Sequence, residues 1–152
     1  MTAQETMISK YGQPDGAYQA KFCILWHIIQ DFPWFPASAI FLNKDFKDML
    51  FKSFTAVQLA GLQGYIKHYN GCLVVRNVRG SNSISAHAWG AAIDLNASEE
   101  PMVIADGLAL DDPKRLGKWP KSFVDAMASS GVFFGGFFHH RSDPMHFAML
   151  DM

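Results

Sequence analysis

The sequence predicts an α+β fold, a single small domain in which a small antiparallel sheet packs with helices. Three observations carry this reading. The chain has 152 residues, 49% of them hydrophobic and only 18% charged, which suits one domain with its own core and argues against disorder. Apolar residues recur at helical spacing after Asn43, while the short apolar runs of strand type gather later in the chain. Helices and strands therefore do not alternate as they would around a parallel sheet.

Taken in order, residues 1–20 read as an irregular N-terminal arm, because Gly12, Pro14, Asp15 and Gly16 are turn formers. Residues 22–29 are apolar with β-branched members. They fit a buried strand or part of a helix, and periodicity does not choose between them. His27 within that run reads as a core histidine. Pro33, Trp34, Phe35 and Pro36 read as a packed loop.

The clearest helix starts after Asn43, a good N-cap, with Asp45 and Asp48 in its first turns. Phe46, Met49, Leu50, Phe54 and Val57 mark its buried face at spacings of mostly three and four. Leu62, Tyr65, Ile66 and Tyr69 extend the pattern past Gly61, so Gly61 and Gly64 are expected to kink or divide a helix that ends at Asn70-Gly71. Residues 72–75 and 91–95 read as strands with a loop between them, followed by a further loop from Pro101 towards Pro113. A shorter helix from Pro120 turns Phe123, Val124 and Met127 inward and stops at Gly131. Residues 132–134 and 145–149 complete the strands, with a turn at Gly135-Gly136.

Composition excludes several classes of function. A net charge of −1 advertises no basic face for nucleic acid and no polybasic membrane anchor. The longest apolar runs fall far short of the roughly 20 residues of a membrane span, so no stable membrane association is expected. Residues 1–13 are polar and hold no apolar signal-peptide core, so we expect synthesis in the cytoplasm. Cys23 and Cys72 form no CxxC pair and read as buried thiols without a disulfide framework.

The chemistry concentrates in two segments. One contains Ser85-x-His87-x-x-Gly90-x-Ala92-x-Asp94; the other is Asp143-Pro144-Met145-His146-Phe147. Imidazole nitrogen and carboxylate oxygen suit zinc, and a catalytic zinc keeps a fourth position open for water. His87, Asp94 and His146 supply two nitrogens and one carboxylate and leave that position free. Asp143, three residues before His146, would stand at the strand's mouth, within reach of water but not a ligand, where a general base belongs.

The pattern SxHxxGxAxD followed by DxxH resembles the zinc peptidases of the D-alanyl-D-alanine carboxypeptidase and L-alanyl-D-glutamate endopeptidase family, which share a fold with the hedgehog signalling domain. The phrase Gly71-Cys72-x-x-x-Arg76-x-x-Arg79-Gly80 ahead of the first motif, with Trp89-Gly90 inside it, is similar to the phage endolysin branch. The likeness spans roughly residues 40 to 150. It implies zinc on His87, Asp94 and His146, with Asp143 as general base. It also implies an arginine that stabilises the oxyanion or a substrate carboxylate, for which Arg76 fits best and Arg79 is the alternate. The expected partner is a peptidoglycan stem peptide and the expected state a monomer, reaching the wall through a holin. Ser85 either fixes the loop or touches substrate, Arg79 is a second substrate contact, and Trp89 is expected to wall the site. Phe137-Phe138 after the double glycine and Ala148 after His146-Phe147 depart from the family pattern and bear on substrate preference.

Other readings meet specific objections. Two histidines and a carboxylate also form the facial triad of non-haem iron oxygenases, but there the first two ligands usually stand two residues apart, not seven. A zinc-holding module without activity would have no use for Asp143 and Arg76. A D-Ala-D-Ala carboxypeptidase remains the alternative to an endopeptidase. His139 and His140 read as loop residues, since the metal already has three ligands.

Overall fold

The computed structural model describes residues 1–78 and 81–152. The chain opens with a helix, α1 (Ala3–Tyr11), started by a reciprocal cap in which the Thr2 hydroxyl accepts from Glu5 N at 3.1 Å and Glu5 Oε2 accepts from Thr2 N at 2.6 Å. A second helix, α2 (Gly16–Phe22), is capped by Asp15, whose side chain accepts from Tyr18 N. The expected irregular arm over residues 1–20 is therefore two helices. The turn formers at 12–16 make only the joint between them, and Thr2-x-x-Glu5 is the helix start signal that precedes them.

Residues 22–29 hold both structures between which periodicity did not choose. Strand β1 (Cys23–Trp26) is followed by the single turn α3 (Ile28–Asp31), and His27 between them is exposed, not a core residue. β1 pairs antiparallel with β2 (Ile40–Asn43), placing Cys23 opposite Asn43. Asn43 then caps α4 (Lys44–Leu59), its Oδ1 accepting from Asp45 N and Phe46 N. Phe46, Leu50, Phe54 and Val57 form the buried face of α4. A fully buried Phe or Leu stabilises the fold by roughly 1.5–3 kcal/mol.

The helix does not continue to Asn70. Gly61, with φ +72°, donates to Gln58 O while Leu62 N donates to Val57 O, which is the paired closure of a left-handed C-terminal cap. Gly61 is thus a terminator. Only a 3-10 turn (Gln63–Tyr65) follows, and Tyr69 runs extended to bridge Leu95.

Residues 72–75 form no regular strand. Val74 N donates to His87 O and Ser85 N to Arg76 O, and the pairing stops because the partner segment coils into a 3-10 turn (Ala86–Trp89). The remaining elements are β3 (Ala92–Asp94), β4 (Val103–Ile104), a 3-10 turn (Pro113–Leu116), α5 (Lys121–Ala128), β5 (Phe133–Phe134), a further 3-10 turn (Gly135–Phe137), β6 (Arg141–Ser142) and β7 (His146–Ala148). β7 lies between β3 and β5 in an antiparallel three-stranded sheet, and β4 pairs with β6. α4, α5 and this sheet enclose the main core, with Phe54, Phe123 and Phe147 fully buried in it. The result is the α+β domain with small antiparallel sheets that the sequence predicts.

Candidate metal centre

The register of β3 against β7 sets Asp94 directly opposite His146. Directly opposed residues of an antiparallel pair put their side chains on one face, Cβ atoms about 5 Å apart. His87 reaches the same point from the 3-10 turn, whose N-cap is Ser85: its buried hydroxyl accepts from His87 N at 3.2 Å. This cap holds the start of the turn that carries His87. Gly90, with φ +60°, closes the turn, and a Cβ there would meet Asn43 N at 2.9 Å and Leu42 Cα at 3.0 Å. Its small size lets the metal loop lie against β2. Gly135 does the same opposite the other motif, where a Cβ would stand 2.6 Å from Asp143 O and 2.8 Å from His146 Cβ.

One potential ligand atom from each of His87, Asp94 and His146 lies within 4.8 Å of the others. His87 Nε2 is 3.2 Å from Asp94 Oδ1, and His146 Nδ1 is 3.4 Å from the same oxygen. Ligands held at about 2.0–2.1 Å around a tetrahedral zinc stand about 3.3 Å apart, so the donor set fits that ion in kind, and the two histidine–aspartate distances fit it in spacing. Both rings are buried, with 2% and 6% exposure. Among the described residues, His87 Nε2, Asp94 Oδ1 and Asp143 Oδ1 are buried polar atoms with no hydrogen-bond partner. His87 Nε2 and Asp94 Oδ1 are close yet misaligned for a hydrogen bond, which suits two groups aimed at a common point. Unpartnered buried groups of this kind are rare without an ion or a chemical role.

Each ring is oriented from behind by a main-chain oxygen. His87 Nδ1 lies 2.8 Å from Cys72 O and His146 Nε2 lies 2.9 Å from Met152 O. A main-chain oxygen only accepts, so the facing nitrogens carry protons, and in the neutral form that a metal binds His87 Nε2 and His146 Nδ1 present lone pairs to the centre. Burial by itself would raise the Asp94 carboxyl, but the two imidazoles beside it hold it well below the usual carboxylate range. His146 moves the other way: burial favours its neutral form, yet contact with Asp94 raises it overall.

Asp143 lies outside the three-atom cluster. It is partly buried, its amide donates to Gly135 O at 2.9 Å, and its own carbonyl accepts from His146 N. Burial pushes its carboxyl above the ordinary value; the charge of Asp94 adds to this, while those of His146 and Arg141 oppose it.

The other expected residues separate. Arg76 flanks an open groove of about 540 Å³ between the Gln13, Pro14 and Asp15 turn and Val75, Asn77 and Ile84. Among the described residues its guanidinium hydrogen-bonds Asn77 O at 3.2 Å and none of the three ligands. Arg79 lies outside the described residues. Trp89, expected to wall the substrate site, is fully buried and donates its indole N–H to Gly12 O at 2.9 Å. Its large apolar ring fills the space under the N-terminal helices and supports the metal loop from behind. His140 forms an exposed pair with Asp106 at 2.9 Å and stacks edge-on with His139, apart from the ligands. Both cysteines are free thiols.

Sequence reasoning missed Cys72 and Met152 as ring supports, since a main-chain acceptor leaves no side-chain signature. It also missed Asn96, which adopts φ +54° and accepts from Lys67 N and His68 N while donating to Tyr65 O. An asparagine just after a strand is a legible signal for a left-handed turn of this kind.

The fold and centre define a small α+β domain in which His87, Asp94 and His146 form a cluster that could hold a metal ion. A family model described as D-alanyl-D-alanine carboxypeptidase matches residues 79–149, a little under half of the chain. That span contains the three candidate ligands and Asp143, and it begins after Arg76. Over it, the chain is similar to a peptidase family. No curated protein and no solved structure matches the chain. Among the described residues no helix is long and apolar enough to cross a membrane.

Proposed function

We propose that this chain is a zinc-dependent peptidase that hydrolyses the stem peptides of peptidoglycan. The observation that carries this reading is the meeting of His87 Nε2 and His146 Nδ1 at 3.2 and 3.4 Å from Asp94 Oδ1, with the buried, unpartnered Asp143 Oδ1 nearby in sequence to His146. The likeness of residues 79–149 to D-alanyl-D-alanine carboxypeptidases supplies the substrate class. Zinc held by the triad would supply a Lewis acid and a water acidified towards a pKa of about 7.

The chain's own residues do the rest. Asp143 takes a proton from the attacking water and delivers it to the leaving amine. Its burial makes it a stronger base than an exposed aspartate. Arg76, swung from its contact with Asn77, offsets negative charge on the carbonyl oxygen or holds a substrate carboxylate; Arg79 is the alternate. Ser85 keeps the His87 turn in place.

Within this reading we place an L-alanyl-D-glutamate endopeptidase first, acting as a monomeric phage or prophage endolysin that leaves the producing cell's cytoplasm through a holin. The ground is the resemblance of residues 71–94 to the endolysin branch. A D-Ala-D-Ala carboxypeptidase is the second reading, favoured by the description of the matching family. A wall-binding module without catalysis is disfavoured by the buried, unpartnered Asp143 Oδ1. Mass spectrometry of purified wall fragments after digestion separates the three. Cleavage after L-alanine supports the first, release of free D-alanine supports the second, and unchanged fragments with bound zinc support the third.

A further inference from the structure

The two histidines of the centre are held by different ring nitrogens, and the support behind His146 comes from the far end of the chain. β7 ends at Ala148. The pairing with the β3 side runs one residue further, Met149 N donating to Ala91 O at 2.8 Å, and bends at Met149 and Leu150 then bring Met152 O to 2.9 Å from His146 Nε2. The segment is anchored. The Met152 side chain packs on Ala86, Ala92 and Ala148, next in sequence or nearly so to His87, Asp94 and His146. Leu150 and Met152 also join the cluster that α1 and α2 form with Trp89, through Met7, Tyr11 and Tyr18.

We propose that the main-chain oxygen of Met152 is a positioning group for the metal: it fixes the His146 proton on Nε2, so that Nδ1 faces Asp94. This rests on the metal-binding reading of the centre. The physical argument is that a ligating histidine whose remote N–H lacks an acceptor can rotate or exchange tautomer, and each alternative removes the lone pair from the centre. The neighbouring alanines leave room for the segment to lie close behind the ligands. The N-terminal helices that clamp it thereby contribute to the centre without touching it.

The test compares three proteins by zinc competition against a chelator: the 152-residue chain, the same chain ending at Leu150, and Met152→Leu. Loss of an outer partner of a ligand typically weakens metal affinity by about 10–100-fold. The truncated chain is expected to bind zinc that much more weakly. Met152→Leu, which keeps the main-chain oxygen and an apolar anchor, is expected to stay near the parent. A truncated chain with parental affinity would overturn the proposal, and so would Met152→Leu losing as much as the truncation, since the identity of the side chain and not the main-chain oxygen would then be the cause. Nitrogen-15 imidazole spectra of the zinc-loaded parent need no variant to fold. Coordination of His146 through Nδ1 with a proton on Nε2 is expected, and coordination through Nε2 would refute the assignment. A parent chain that takes up no zinc at all would bring down the metal reading together with this one.

Discussion

The N-terminal helices and the metal centre bury polar groups in opposite ways. In the first region each buried donor meets an acceptor: Tyr11 OH donates to Asp45 Oδ2 at 2.6 Å, Asn43 Nδ2 to Tyr18 OH at 2.9 Å, and Trp26 Nε1 to Asp31 Oδ2 at 2.7 Å. In the second, His87 Nε2, Asp94 Oδ1 and Asp143 Oδ1 are buried without a hydrogen bond; Gln63 Oε1, apart from both regions, is the other such atom among the described residues. Leaving a buried polar group unpaired costs about 1–3 kcal/mol, so a fold tolerates three together only where something else engages them. Satisfied polar groups mark scaffold, and converging unsatisfied ones mark chemistry.

The strongest way to break this comparison is to remove a ligand. His87→Ala should abolish stoichiometric zinc binding and bring hydrolysis of wall fragments to background, because two donors seldom hold zinc where three did. The variant should also lose the stabilisation that metal binding lends the fold. Elemental analysis and calorimetry with and without zinc check both, and full zinc occupancy would remove the ligand assignment.

Asp143→Asn comes next, with an expected loss of about 10²–10⁴-fold in kcat and retained zinc. It sharpens the comparison through pH. A carboxyl whose folded pKa is raised contributes stability at pH below its unfolded value, and that contribution is lost as pH rises through the folded value. The metal-free parent should therefore lose some stability over that interval, and the asparagine variant should not. Melting curves of both proteins at a series of pH values read this directly. Zinc loss in the variant would instead make Asp143 a ligand.

Arg76→Ala is expected to lower kcat/KM by about 10²–10³-fold without changing zinc content, the usual scale for one electrostatic contact to a developing charge. Activity at the parental level, with a deep loss in Arg79→Ala, would transfer the role to Arg79.

What was legible in the sequence follows the same division. The meeting of His87, Asp94 and His146 in one cluster was readable because a metal site would need those particular atoms, and short-range spacing on a turn and a strand survives in the linear sequence. The α4 face was readable because its apolar positions repeat at helical spacing. Gly61 was misread because periodicity persists by chance beyond a helix end, and only its positive φ shows it to be a cap. Trp89 was misplaced because a large aromatic beside a ligand fits a site wall and a core equally well. Burial under α1 and α2, distant in sequence, decides between them.

The smallest expected effect falls on the scaffold side, and it tests whether the division between the regions is real. Tyr18 is buried on α2; its hydroxyl donates to Trp89 O, between His87 and Gly90, and accepts from Asn43 Nδ2. Asn43 in turn caps α4. One hydroxyl thus ties the N-terminal helices to the metal loop and to the start of the main core helix. Burial is the main reason its phenol is raised well beyond the ordinary tyrosine range, so it acts as a neutral donor throughout the accessible pH range. Tyr18→Phe keeps the ring and its packing but leaves Trp89 O and Asn43 Nδ2 without this partner, at a cost of about 1–3 kcal/mol. The melting temperature should fall accordingly, while zinc stoichiometry and kcat/KM stay near the parent, because no ligand atom is disturbed. Denaturant unfolding with zinc held in excess isolates that change. A drop in zinc affinity as large as that from ligand removal would mean that the N-terminal helices belong to the centre and do not merely support it.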